Sequence, residues 1–501
     1  MSTDLDFDRL VYFGDSLTDS GNLFEATSAV AFFGLPPEAA GYAQQFSNGN
    51  VYADLTPELL GVDSVNYAVG DAQVLNDRTV GAFLDGTGLI RPDATAEDLG
   101  FRIDYVAQVE RFLQAEAGGD LSDTAVSIFA GANDFRDFVP TSLNVVQDVI
   151  AYGTSVATVL LESAATLTFS GVGTVIINTA SDSDFFPRFE EFDPTVQALS
   201  SLYSSAINAT IYAGAEQLNA AGANVVIVEL GAMSDEVNGD FESFGFRVFD
   251  EPLIKGSLGS DGLNPNLLGV PVEQIGFFDS VHPTAELHEI WGVFQAESLT
   301  SEVVVGDGTS EGIKGTKSDD LILARGGDDA IKLGNGDDIA IAGLGDDTVD
   351  GGNGADLIAG GAGHDMLKGG NASDIITDGT GDDISKGGNG NDLLIDSAGA
   401  DMAYGGNGSD VFIFTDDAIF GRETEDMNFF DGGRGHDTLI LRVADPVADL
   451  AFTQDGKTTF YTDLGLSTVG IEEVFVVAYN DLPEIDGFED AFQTADYWHF
   501  V

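Results

Sequence analysis

Apolar positions along residues 1–297 recur in two rhythms. Short continuous runs, Leu10–Phe13, Val126–Phe129, Val175–Asn178 and Val225–Glu229, have the length and β-branched content of buried strands. Between them lie amphipathic stretches such as Asp104–Glu116 and Ala198–Ala221, where apolar residues return at helical spacing. Strands alternating with helices predict an α/β domain with a mainly parallel sheet covered on both faces.

From Gly306 the rhythm becomes strictly nine residues long. Aspartate returns at Asp320, Asp329, Asp338, Asp347, Asp356, Asp365, Asp374, Asp383, Asp392, Asp401 and Asp410, with Glu311 in the same phase. Two residues after most of these stands an apolar side chain: Ile322, Ile331, Val349, Ile358, Leu367, Ile376, Leu394 and Phe412. The 12 units fill 306–413 without an insertion, and Gly351–Ala359, Gly387–Ile395 and Gly405–Ile413 are the most regular. One more unit, Gly432–Ile440, follows 18 irregular residues and keeps the phase, because Asp437 lies 27 residues after Asp410. The chain therefore divides into 1–297, a repeat region 298–440 and a tail 441–501, whose strand-like run Val474–Ala478 precedes an acidic, aromatic stretch, Asp481–Val501.

A fixed period with an apolar residue in phase excludes a solvated acidic linker, which needs neither. In the pattern G-G-x-G-x-D-x-U-x the glycines allow tight turns with inward carbonyls. The aspartate supplies carboxylate oxygens, and the apolar U position starts a short inward-packing strand. Carbonyls and carboxylates together suit Ca2+, which takes six to eight oxygens in flexible geometry. The pattern resembles the RTX repeats. That resemblance implies a parallel β-roll with one turn per two repeats, in which carboxylates two repeats apart, such as Asp356 and Asp374, share an ion. The candidate ligands are the eleven aspartates above and Asp437. Ala340, Ser385 and Ala403 weaken the U position, and Ala324–Arg325, Leu333 and Asp396–Ser397 break the glycine pair.

Charge narrows the partners. With 85 acidic and 19 basic residues the net charge is −66, which repels nucleic-acid phosphates and anionic lipid and favours divalent cations or a salty medium. The chain has no cysteine, which says little about compartment. Met1–Asp8 carries three aspartates and no basic residue, unlike a secretory signal peptide, and no run of 18 apolar residues predicts a transmembrane helix.

In the first region, Gly14-Asp15-Ser16-Leu17 directly follows the strand-like run Leu10–Phe13. A serine hydroxyl needs a base within hydrogen-bond reach and donors for the oxyanion. Asp279-Ser280-Val281-His282 offers a base and its orienting acid on one loop, Asn66-Tyr67-Ala68-Val69-Gly70 a backbone N–H, and Gly131-Ala132-Asn133-Asp134 an amide. These four ordered blocks resemble the GDSL, or SGNH, hydrolases over about 10–297, nearest the phospholipase/lecithinase-like and plant-esterase branch. Phe46-Ser47-Asn48-Gly49-Asn50 and Phe244-Gly245-Phe246 also fit that branch.

The resemblance implies a flavodoxin-like three-layer fold. It also implies Ser16 as nucleophile, Asp279 and His282 completing the triad, and Ser16, Gly70 and Asn133 forming the oxyanion hole. The branch commonly has Gly-Gly where this chain has Gly70-Asp71. Asp19, Asn22 and His288 read as structural, and Gly308-Thr309-Ser310-Glu311-Gly312 mimics a nucleophile elbow without the strand-to-helix context. The expected function is a carboxylic-ester hydrolase acting on a lipid, phospholipid or short-chain ester, with no cofactor at the catalytic site and several calcium ions in the repeats. The alternative is a non-catalytic calcium-binding surface or matrix protein with an inactive hydrolase scaffold. Resemblance to RTX proteins further implies an extracellular protein exported through a type I ABC transporter without an N-terminal signal.

Overall fold

The computed structural model describes residues 5–415 and 427–478, except for 29–30, 32–34, 37–41, 86–88, 182–184, 188–192, 242, 245, 250, 256–261, 268–269, 271, 444–451, 456 and 462–463, together with isolated positions up to Thr494. Contacts divide the chain into two compact units, residues 1–235 with 248–299, and residues 236–247 with 300–501.

The first unit is built on a parallel five-stranded sheet of β1 (Arg9–Gly14), β2 (Asp63–Asn66), β3 (Thr124–Phe129), β4 (Thr174–Asn178) and β5 (Val225–Val228), in the order β2-β1-β3-β4-β5. This is the flavodoxin-like order, whose switch point lies between β1 and β3. Alternation of side chains along the strands serves both faces. Val11, Phe13, Val126, Ile128, Val175 and Ile177 pack into one core with residues of the helices Tyr105–Ala115, Val145–Phe169 and Pro194–Ala220. On the other face Tyr12 meets Tyr52 edge-on and hydrogen-bonds Gln295, which also reaches Ser127 and Asn178. The helices Tyr52–Leu60 and Ala285–Ser298 carry Tyr52 and Gln295 and close that layer.

The helix Val145–Phe169 has the length and apolar composition of a membrane span. It packs as a core helix, burying Val149, Gly153, Val156, Ala157, Leu160, Ala164 and Leu167. The sequence boundary at 297/298 falls at the end of the helix Ala285–Ser298.

The second unit is a β-roll. Alternate repeats feed two sheets in parallel 18-residue register: Ile331 pairs with Val349 and Val349 with Leu367 in one, Ala340 with Ile358 and Ile358 with Ile376 in the other. The U residues point inward and are buried, including the weak ones Ala340, Ser385 and Ala403. Where the first glycine is replaced, Ala324 and Leu333 also turn into the core. Gly354, the third glycine of its repeat, has no room for a side chain: φ is +130° and a Cβ would lie 1.6 Å from the Gly336 carbonyl oxygen. Ala372, in the equivalent position, adopts φ +84° all the same. After Asp410 the register lengthens to 27 residues, so that Thr438 pairs with Val411, and Glu473–Ala478 then adds a parallel strand beside Thr438–Val443. Most of Asp481–Val501 lies outside the described residues.

Candidate active site and calcium ladder

The expected nucleophile sits where β1 ends. Gly14 has no room for a side chain, because a Cβ would lie 2.4 Å from the Phe129 carbonyl oxygen and 2.6 Å from Thr18 Oγ1. The Gln108 side chain holds both its N–H and its C=O. Beyond it the Thr18 and Asp19 N–H groups both return to the Asp15 carbonyl, giving one helical turn with Ser16 at its start.

His282 Nε2 lies 2.9 Å from Ser16 Oγ, and His282 Nδ1 lies 2.8 and 2.9 Å from the two Asp279 oxygens. Three residues spread over 266 positions of sequence are thus joined in one hydrogen-bonded chain. Asp279 Oδ1 also accepts the Val281 and His282 N–H groups, while Tyr42 donates its hydroxyl to Oδ2. Burial alone would raise this carboxyl. The His282 ring, the Tyr42 hydroxyl and the backbone donors outweigh it and hold Asp279 down to about 2. Aspartate can then keep the imidazole in the tautomer that accepts the serine proton. Phe46 lies against the His282 ring at 4.7 Å, and Asn48 Oδ1 accepts the Ala285 N–H at the start of the last helix.

Around the nucleophile, Asp19 gathers the N–H groups of Gly21, Asn22, Leu23 and Gly70, and Asn22 donates to the Asn66 and Ala68 carbonyls. Both residues brace the loop. His288 is buried under Tyr52 and Trp291, and burial pushes it down to about 3, so it stays neutral.

The oxyanion expectation is corrected at one position. The Gly70 N–H donates to Asp19 Oδ2 at 2.7 Å and cannot also serve an oxyanion. Gly70 is required for space instead: a Cβ would lie 2.2 Å from the Phe46 ring. The following N–H, that of Asp71, makes no hydrogen bond to a described residue. Asp71 is the third residue of the turn Val69–Ala72, with φ +62°. Asn133 lies on the 3₁₀ turn Ala132–Asp137, its Nδ2 donating to the Ala72 carbonyl at 3.3 Å. Ser16, Asn133 and Val281 line a cavity of about 460 Å³ whose walls include Phe129, Phe135, Phe138, Phe186, Leu199 and Ile207.

In the roll, the aspartates form ladders. Successive N–H groups donate to the carboxylate 18 residues ahead, Asp338 to Asp356, Asp356 to Asp374, Asp374 to Asp392, and in the alternate series Asp347 to Asp365 to Asp383 to Asp401, whose own N–H goes to the Asn428 amide oxygen. Asp410 donates to Asp437 across the 27-residue step. This uses one oxygen per carboxylate. The other, Oδ2 of Asp329, Asp338, Asp347, Asp356, Asp365, Asp374, Asp383, Asp392, Asp410 and Asp437, is buried without a hydrogen-bond donor.

Burial, with neighbouring carboxylates adding to it, pushes Asp347 and Asp356 up to about 7 and Asp374 and Asp383 up to about 8. Buried oxygens of this kind need protons or a cation, and rows of them beside turn carbonyls fit Ca2+. Asp320 differs: its carboxylate takes the N–H and hydroxyl of Thr316, which stands at a glycine position. Asp378 was not singled out from the sequence, and Asp396 only as a break in the glycine pair. They occupy first-glycine positions, point inward and, with Asp401, bring three buried carboxylate oxygens within 4.8 Å of one another. An aspartate at that point of the repeat was the available signal.

A 2-1-3-4-5 sheet with a serine, histidine and aspartate hydrogen-bonded at the end of its first strand defines an α/β protein of the hydrolase type. The chain belongs to the GDSL-like lipase/acylhydrolase family, whose model matches residues 10–292. The RTX calcium-binding nonapeptide repeat model matches 305–340, 333–367 and 386–418. Among curated proteins it is similar to the thermolabile hemolysin of Vibrio parahaemolyticus serotype O3:K6 (strain RIMD 2210633), at 22% identity over 289 residues, 56% of this chain and 61% of the relative. The chain thus spans less than two thirds of that relative's length. Family and repeats together support an ester hydrolase joined to calcium-binding repeats.

Proposed function

We propose that the chain is a secreted serine ester hydrolase. The observation that carries this reading is the unbroken hydrogen-bonded chain Asp279–His282–Ser16 beside an apolar cavity. Ser16 Oγ attacks the acyl carbon as His282 Nε2 takes its proton, and the tetrahedral oxyanion is held by the Ser16 and Asp71 N–H groups and the Asn133 amide. His282 returns the proton to the leaving alcohol, and a water activated by the same imidazole releases the acyl group. Asp279 stays ionised and opposes the imidazolium charge. These residues require no cofactor.

The phenylalanine-lined cavity suits an acyl chain. Val139 and Leu143 are exposed, at 73% and 104%, close in sequence to the cavity residues Phe138 and Pro140, which favours a water-insoluble ester. Calcium would be held by the repeat aspartates, where it neutralises the stacked carboxylates and couples metal binding to folding. Such repeats stay unfolded where calcium is scarce, which suits export through a type I ABC transporter and folding outside.

A fluorophosphonate probe tests the central assignment. It should label the native protein and not a folded Ser16→Ala variant, and that variant should hydrolyse an activated ester no faster than background. Undiminished turnover by Ser16→Ala would overturn the reading.

A further inference from the structure

Asp71 stands in a conformation that suits glycine better. Its φ of +62° lies in the left-handed region, which glycine enters more freely than any L-residue. Its side chain is only 7% exposed, and its carboxylate receives Arg78 Nε and, at 2.8 Å, Arg136 Nη1. Arg136 belongs to the same 3₁₀ turn, Ala132–Asp137, that presents Asn133.

Further bonds join the same two segments. Asn133 Nδ2 reaches the Ala72 carbonyl at 3.3 Å, and Gln73 Nε2 reaches the Asn133 carbonyl at 3.3 Å and Asp137 Oδ2 at 2.7 Å. The Val74 and Leu75 N–H groups both donate to Asp134, at 2.8 and 2.9 Å. The direct bond from the Asn133 side chain is long, whereas the ion pair is short and charge-assisted and ends on Asp71 itself, whose N–H is one of the two donors.

We propose that Asp71 is a positioning residue for the oxyanion hole. Through Arg136 it clamps the turn that carries its own N–H onto the segment that carries Asn133, fixing the separation of the two donors. This inference rests on the oxyanion assignment given above. A glycine at 71 would suit the backbone and lose the tie; the chain keeps the aspartate and the tie. Donors that are preorganised cost no reorganisation when the charge develops, so loosening them should appear in the chemical step rather than in substrate binding.

The test uses the full chain with calcium and an activated ester, measuring kcat and KM separately. Asp71→Ala, Asp71→Gly and Arg136→Ala should each lower kcat by about 10- to 100-fold with KM changed by no more than about twofold. The Asp71→Ala/Arg136→Ala double variant should be no worse than the poorer single one. Arg136→Lys should recover part of the rate. Arg136 also lines the cavity, so the Asp71 variants, whose side chain does not, decide the matter.

Wild-type kcat in Asp71→Gly or Arg136→Ala, a loss confined to KM, or multiplying losses in the double variant would each overturn the proposal. If one single variant does not fold, the other still reads kcat. Retained turnover in Ser16→Ala would instead bring down the underlying reading, so the two failures are distinguishable.

Discussion

Both units bury carboxylates, and they neutralise them by opposite means. In the first unit three buried acids have their donors supplied by the chain. Asp279 has Tyr42, His282 and two backbone N–H groups, Asp19 has four backbone N–H groups, and Asp134 has two. In the roll the chain answers one oxygen of ten repeat aspartates, Asp338, Asp356 and Asp374 among them, and leaves the other buried with no donor among the described residues. A charge met by the polypeptide is in place as soon as the unit folds. A charge left open makes folding conditional on something the polypeptide does not contain.

The largest expected effect tests this contrast directly. Chelating calcium from the full-length protein should abolish amide protection across the strands of 300–478 while the sheet β1–β5 keeps its protection. Esterase activity should survive in large part. Hydrogen exchange with and without a strong chelator measures it, and equal loss of protection in both units would break the comparison.

Next comes Asp279→Asn, which leaves the fold of the first unit nearly isosteric but removes the charge that orients His282. The rate should fall by up to about 10⁴-fold, as when the acid of a related triad is neutralised. Thermal unfolding of the first unit should move far less than activity does. A smaller effect, about 2.7–4 kcal/mol of transition-state stabilisation, is expected for Asn133→Ala, read from kcat on the same ester. An Asn133→Ala enzyme of wild-type kcat would remove that amide from the oxyanion hole.

How much of this was legible in the sequence follows the same divide. Periodicity is local information, and it marked the repeats: the nine-residue spacing of the aspartates, the inward-packing U residues and the return of Gly432–Ile440 to phase were readable from spacing, while the roll itself was implied by the resemblance to RTX repeats. The buried strands β1, β3, β4 and β5 and the helices Tyr105–Ala115 and Pro194–Ala220 announced themselves as apolar runs and amphipathic stretches. β2 did not, because Asp63–Asn66 is an edge strand of mostly exposed residues with no apolar run to show.

At the candidate site, the motifs pointed to Ser16, Asn133, Asp279 and His282. Which N–H near Gly70 is free depends on Asp19, 51 residues earlier, and on the Phe46 ring that excludes a side chain at that glycine. Tyr42 behind Asp279 lies 237 residues from it, with no motif to mark it. Tertiary contacts of that kind leave no trace in local spacing.

The smallest predicted effect sharpens the contrast inside the roll itself. Asn335, Asn353, Asn371, Asn389 and Asn407 form an exposed ladder, each later amide donating to the carbonyl oxygen of the one 18 residues before at 2.7–2.9 Å. Unlike the aspartates, a stacked amide carries donor and acceptor together, so the ladder satisfies itself and needs no cation. Asn371→Ala removes two of these bonds, but water can replace them at an exposed edge. The cost should be about 0.5–1.5 kcal/mol, seen as a slightly lower Tm of the calcium-loaded protein. The calcium concentration at half-folding should hardly move. Asp374→Ala, one strand-turn away, should shift that midpoint upward, because it removes a carboxylate the cation needs. Equal shifts in the two variants would mean that the asparagine ladder, and not the buried carboxylates alone, sets the calcium dependence of the roll.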